Sequence, residues 1–176
     1  MNYKKIMLLL CIAFSGITMT YAHDKTPQNI AQHLQLEAHP DGGYFKEIYR
    51  AENGKQNITM IYALRLKNQY STIHKLSYPE ILQWVDGGSF YVSQMSPDGK
   101  IEVIETSQQN PVHIVPADYW FQIHTKSEFS LMTGIVSPAF SWEYFTAIEY
   151  DDFMQKYPQA KQEFHKPFNK IFQKPN

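Results

Sequence analysis

An all-β fold of the sandwich or barrel class is what this sequence predicts, and three observations carry that expectation. Short runs of aromatic and β-branched residues recur along the chain. Turn formers separate them, roughly every eight to twelve residues. Aromatic residues make up 15% of the chain, with 12 Tyr and 11 Phe. Such rings bury a large area each and suit pleated, half-buried surfaces, so they favour a wide β-rich interior.

The first 22 residues read as a cleavable export signal. Lys4 and Lys5 precede an apolar stretch over 6–14, and Thr20-Tyr21-Ala22 places small residues at the −3 and −1 positions, so cleavage falls between Ala22 and His23. The apolar stretch is shorter than the roughly 20 residues a membrane span needs. A retained anchor is the alternative. Cys11 raises a lipoprotein reading, but Leu10 stands where a small residue would precede a lipidated cysteine. The mature protein is therefore expected outside the cytoplasm, periplasmic or secreted, with no membrane span after processing. It would also lack the single cysteine, so an apolar core without a disulfide must stabilise it.

A short N-terminal lead over 23–33 opens on a polar stretch, 23–28, and residues 29–36 suit a short helix. Pro40-Asp41-Gly42-Gly43 is a strong turn, and 44–50 alternates as a strand. Asn53-Gly54 offers the positive φ of a tight hairpin. Strands are then expected at 58–66, 71–75, 81–85, 90–95, 100–105, 112–115, 120–123, 129–136 and 140–145. A late helix spans 151–164, interrupted at Pro158. The domain is expected over 34–165, with a loose tail over 166–176. Without Lys4 and Lys5, 14 basic side chains face 17 acidic ones, a charge of −3. That balance argues against nucleic acid as a partner, which requires a basic face.

Four segments, in order, resemble one known family. His39-Pro40-Asp41-Gly42-Gly43-Tyr44-Phe45-Lys46-Glu47-Ile48-Tyr49-Arg50 is close to its "HPEGGYFRETYR", and His74 with Glu80 matches its "H-x-L-x-x-x-E-I-W" core. Val115-Pro116-Ala117-Asp118-Tyr119-Trp120 is similar to its "VPAGxW". Val136-Ser137-Pro138-Ala139-Phe140, with Phe145, is similar to its closing segment. The family is that of the small uncharacterised cupins grouped as DUF985, or Cupin_5. The resemblance implies a double-stranded β-helix, the cupin jelly-roll barrel, to which the residue pattern adds the short N-terminal helix and the C-terminal helix. It also implies a pocket lined by inward-facing side chains, and a homodimer.

Metal-dependent cupins draw three histidines and a carboxylate from two motifs. His74 and Glu80 stand at two of those positions here, while Thr72 and the run Tyr119-Trp120-Phe121 stand where histidines would fall. His113 and His124 are nearby but off the ligand positions. The sequence therefore predicts no tightly held metal cofactor, with His74 and Glu80 as the weak candidate ligands of a divalent ion. Without a metal, His74 beside a carboxylate suits general-base chemistry, which makes His74 and Glu80 the candidate catalytic pair. An ion pair closing the barrel wall is the alternative. Tyr44, Glu47, Tyr62 and Trp120 are the candidate ligand-binding residues, with Tyr119, Trp84 and Phe90 as further rings for stacking.

Strict alternation puts Glu47 inward with Phe45 and Tyr49, and Lys46 and Arg50 outward. Gly42-Gly43 serves the turn, and Asp118 replaces the family's glycine. Asn57-Ile58-Thr59 is a glycosylation sequon inside a strand. Three functions remain open. One is a metal-independent enzyme acting on a small polar ligand, such as a carbohydrate derivative; another is an envelope protein that binds a small molecule without turnover. The third is a metal-dependent cupin oxygenase or isomerase.

Overall fold

A computed structural model describes residues 25–40, 42–52 and 57–169. The export signal with its Ala22–His23 junction, Cys11, Asp41 and the Asn53-Gly54 turn lie outside these residues. Eleven strands form two antiparallel sheets. β1 (Glu37–Ala38), β2 (Tyr44–Glu52), β3 (Asn57–Leu66), β5 (Glu80–Gly87), β8 (Val112–Val115) and β10 (Phe129–Val136) make the first sheet, in the order β1-β2-β3-β10-β5-β8. β4 (Ile73–Leu76), β6 (Phe90–Met95), β7 (Ile101–Thr106), β9 (Trp120–Thr125) and β11 (Phe145–Ile148) make the second, in the order β11-β4-β9-β6-β7. Neighbours far apart in sequence, such as β3 with β10 and β4 with β9, are the long connections of a jelly roll.

Alternation along each strand sorts the side chains into layers. Leu82, Val115 and Met132 from the first sheet meet Phe90, Val92, Phe121 and Ile123 from the second, and these seven form the core between the sheets. The next residues along β9 face the other way. Trp120 joins Ile73, Met95, Phe153, Ala160 and Phe164 in a cluster outside the second sheet. All six residues of β9 are thus buried. Each fully buried Phe in these clusters contributes about 1.5–3 kcal/mol.

The helices supply the outer covers. In α1 (Pro27–Leu34), Thr26 accepts the amide of Asn29, Pro27 starts the first turn, and Gln35 ends the helix at φ 55°. Its Ala31 packs on Leu64, Phe129 and Leu131 outside the first sheet. The expected helix over 151–164 is shorter than predicted. α2 (Tyr150–Lys156) stops before Pro158, which cannot donate to the helix ladder, and a 3₁₀ turn follows over Pro158–Ala160. Gln122 then fastens the chain end to the barrel. Its amide nitrogen donates to the carbonyls of Ser71 and His165, and its oxygen accepts from the amide of His165.

The strand expected over 140–145 is also displaced. Ser141 caps a 3₁₀ turn over Trp142–Tyr144 by accepting from the amide of Glu143, so extended pairing begins only at Phe145. Asp118 keeps the turn in which it replaces glycine. It sits at φ 64°, a left-handed conformation that glycine takes freely and Asp tolerates, and its amide donates to Leu76.

Candidate functional site

A cavity of about 180 Å³ lies between the two sheets. Ten of its lining residues carry purely apolar side chains, among them Phe45, Ile61, Leu76, Met132, Phe140 and Phe145. Six carry polar groups: His39, Glu47, Thr59, Arg65, His74 and Glu80. Thr59, Ile61, Ala63 and Arg65 are every second residue of β3, so that strand presents one face to the cavity. The volume is below the roughly 300–1,000 Å³ of pockets for drug-sized ligands, so the space suits at most a small molecule.

Glu80 opens β5 and projects toward β10, where Gly134 leaves room for it. A Cβ at Gly134 would stand 2.8 Å from Oε1 of Glu80. The carboxylate is therefore laid against the backbone of β10, in a residue that is only partly exposed. Burial pushes its pKa up from 4.5 to about 7, because desolvation disfavours the charged form more than the positive charge of Arg65 favours it. At neutral pH the protonated and ionised forms are thus both well populated, as proton transfer requires.

His74 lies on β4, in the opposite sheet. Its Nδ1 is 2.8 Å from the carbonyl oxygen of Thr72. A carbonyl only accepts, so Nδ1 carries the proton and Nε2 is the acceptor nitrogen of the neutral ring. The ring is held between Phe121, centroid distance 4.1 Å, and Phe145 at 5.2 Å. Both members of the expected pair therefore line one cavity, one from each sheet.

Glu47 also lines the cavity, but the expectation for Arg50 is corrected. Glu47 pairs with Ile61 and Tyr49 with Met60, so Ile48 is an extra residue with no partner of its own. This bulge shifts the alternation by one. Tyr49 is turned outward, and Arg50 comes to the same face as Glu47. Arg50 then donates from Nη2 to Oε2 of Glu47 at 2.8 Å and from Nε to both oxygens, at 3.1 and 3.0 Å. Its Nη1 donates to the carbonyl of Phe140 at 3.1 Å.

The sequon residues secure the same loop. Ala139 donates its amide to Oδ1 of Asn57, and Phe140 donates to the hydroxyl of Thr59. Asn57 and Thr59 thus have a structural use, fixing Phe140 over the cavity, and Glu47 is engaged in orienting Arg50.

The structure places the three tyrosine and tryptophan candidates elsewhere. Tyr44 and Tyr62 pack with Leu64 beneath α1, because they occupy the outward phase of β2 and β3. Trp120 lies in the outer cluster with Phe153, with its ring edge toward that phenylalanine at 5.9 Å. None of the three lines the cavity. Phe90 is core, Tyr119 and Trp84 pack against the core, and Trp84 donates Nε1–H to the carbonyl of Gly88. His113 pairs with Gln94, and His124 is buried outside the second sheet between Tyr70 and Tyr91.

Of the six polar lining residues, Thr59, His39 and Arg65 lay outside the sequence-based site candidates. His39 meets the edge of Phe45 at 4.8 Å, and its signal was its place at the head of the first family-like segment. Arg65 is 7% exposed, and its Nη1 donates to the carbonyl of Gly42 at 3.4 Å. A cation midway through the apolar run Ala63-Leu64-Arg65-Leu66 was its signal.

The metal ligand set of cupins does not fit these residues. Thr72 is fully buried and gives its carbonyl to His74, while Phe121 stands directly across from His74 in the β4–β9 pairing. Among the described residues no three His, Cys, Asp or Glu side chains are grouped to hold a metal. No helix among them is long and apolar enough to cross a membrane.

Comparison with known proteins agrees with the architecture. The family model described as "Cupin superfamily (DUF985)", Cupin_5, matches residues 28–148. An X-ray structure of a protein from Shewanella oneidensis superposes with a TM-score of 0.73 at 25% identity, covering 81% of this chain and 99% of that one. A hypothetical protein from Leishmania major gives 0.68 at 23% identity, covering 80% and 99%. A mutant of Bacillus subtilis oxalate decarboxylase gives 0.57 at 13% identity over 80% of this chain and 40% of that one, a likeness of fold alone. No curated protein matches.

Proposed function

The chain belongs to the Cupin_5 (DUF985) family of the cupin superfamily, and from that premise we propose that its cavity binds a small molecule on which Glu80 and His74 act as an acid–base pair. The observation that carries this reading is Glu80 itself. Its carboxyl group is laid over Gly134 with its pKa pushed up to about 7, in a cavity that His74 also lines. Such a pair suits moving a proton on a bound ligand, with Glu80 giving it and His74 taking it, or the reverse. The step calls on no metal.

The lining also bears on the ligand. A sugar presents hydroxyls all round and needs partners for most of them, since a buried polar group without a hydrogen bond costs about 1–3 kcal/mol. Here the walls are largely apolar, and Arg50 and Thr59 are already engaged in holding Phe140. We favour a ligand with an apolar body and a single polar head directed at Glu80 and His74 over a carbohydrate. Export by the residue 1–22 signal would place that ligand in the envelope or outside the cell.

A thermal-shift screen of short carboxylic acids, ketones, phenols and monosaccharides tests the proposal. A ligand at a hundred times its Kd stabilises the native state by about 2.7 kcal/mol, which raises the midpoint by several degrees. The expected hits come from the first three classes. With such a ligand, His74→Ala and Glu80→Gln are each expected to abolish its conversion. A wild type that binds the ligand and leaves it unchanged would identify a binding protein without turnover.

A further inference from the structure

Outside the second sheet, residues 165–169 run from Phe164, fully buried in the outer cluster, back to the turn before β2. Three attachments hold this strap. Gln122 binds both backbone groups of His165, Phe168 donates its amide to the carbonyl of Tyr70, and Nδ2 of Asn169 donates to the carbonyl of Pro40 at 2.7 Å. Beside the strap lies His124, which is 6% exposed. Its ring is 4.7 Å from Tyr70, 5.3 Å from Tyr91 and 6.4 Å from His165, and the rings of Tyr70 and His165 are 4.5 Å apart. Nδ1 of His124 is buried with no hydrogen-bond partner among the described residues. A neutral ring can leave Nδ1 without a proton. A charged ring carries N–H on both nitrogens, and the one at Nδ1 would be buried unpaired.

We propose that 165–169 is a strap released by acid through His124, and that its release frees the turn that carries His39 and Gly42 at the cavity wall. The groups facing His124 come from four places. Tyr91 is on β6, with Glu105 of β7 hydrogen-bonded to its hydroxyl and Lys126, just after β9, 4.3 Å over its ring. Tyr70 comes from the connection between β3 and β4, and His165 from the strap. Burial, His165 and Lys126 all disfavour the charged ring, which pushes its pKa down from 6.5 to about 4. Tyr70 and Tyr91 close two sides of the ring, so lifting His165 is the step that lets water reach it. The opened state then takes a proton that the closed state refuses, and each fall in pH below about 6.5 favours opening. The strap meets the cavity through the turn. Phe168 lies on Gly42, where a Cβ would stand 2.7 Å from its ring. Gly42 donates its amide to the carbonyl of His39 and accepts from Arg65, and both His39 and Arg65 line the cavity. The consequence for a ligand rests on that cavity being a binding site, whereas the release itself does not.

Hydrogen exchange of the full chain without ligand, read at single amides by NMR and corrected for intrinsic rates, tests this at pH 7.5 and pH 5. The amides of His165 and Phe168 are expected to lose protection at least about tenfold on acidification. Those of His39 and Gly42 are expected to follow, while the amides of β6 keep their protection. His124→Phe keeps a ring in place and cannot titrate, so it is expected to hold the strap equally at both pH values. If that variant does not fold, His124→Gln is expected to behave in the same way. Unchanged protection of His165 and Phe168 in the wild type overturns the proposal, as does a full loss that persists in the folded variant. A strap that loosens while His39 and Gly42 stay protected overturns its link to the cavity.

Discussion

At pH 8, Glu80→Gln is expected to unfold at a higher temperature than the wild type, with the gap closing as the pH falls toward 4.5. Glu80 binds its proton more tightly in the folded chain, with a pKa of about 7, than in the unfolded chain at 4.5. Between these values the native state holds more protons, so each rise in pH lowers stability. The contribution is fully present below pH 4.5 and is lost as the pH passes about 7. The span corresponds to about 3 kcal/mol, or roughly 6–12 °C for a domain of this size. Glutamine keeps the shape over Gly134 and does not titrate.

His124 acts in the opposite direction. Burial, with the charges of His165 and Lys126, lowers its pKa from 6.5 to about 4. Stability therefore falls as acid protonates it in the unfolded chain. The difference between Glu80→Gln and wild type cancels that contribution and isolates Glu80. Urea unfolding at several pH values from 4.5 to 8 reads it directly, and a difference that does not change with pH would contradict the account.

Phe121→Ala is expected to cost about 3–5 kcal/mol, because the ring is 1% exposed in the core between the sheets. The same ring supports one side of His74 at 4.1 Å. The variant should therefore lower the urea midpoint with little change in slope, and should also loosen the imidazole. A second reading comes from the His74 ring protons by NMR, which are expected to lose the upfield shift that a neighbouring aromatic face imposes. A loss of less than about 1 kcal/mol would mean that the core collapses around the gap.

The fold was legible in the sequence because its signals are local and repeated. Alternating aromatic runs and turn formers marked most strands within a residue or two, and the family-like segments selected the jelly roll among the sandwiches. His74, Glu80 and Glu47 were legible for the same reason, each lying within one of those segments. Arg50 was placed on the wrong face because the bulge at Ile48 is a property of the β2–β3 pairing and leaves no local trace. Tyr62 and Trp120 look like pocket rings in sequence, but ring chemistry does not say which phase of a strand faces inward. That phase is set by partners distant in the chain, α1 for Tyr62 and the segment after Pro158 for Trp120. Arg65 went unnoticed for a related reason, since the 58–66 strand is apolar on both faces and its inward phase was not fixed.

The central claim is that the cavity holds a dehydrated carboxyl group poised near neutrality. Carbon-13 NMR of the Glu80 side-chain carboxyl, titrated from pH 4 to 9 and assigned by its absence in Glu80→Gln, tests this most directly. The account predicts a midpoint near 7. A midpoint at 4 to 5, that of a hydrated glutamate, would contradict it.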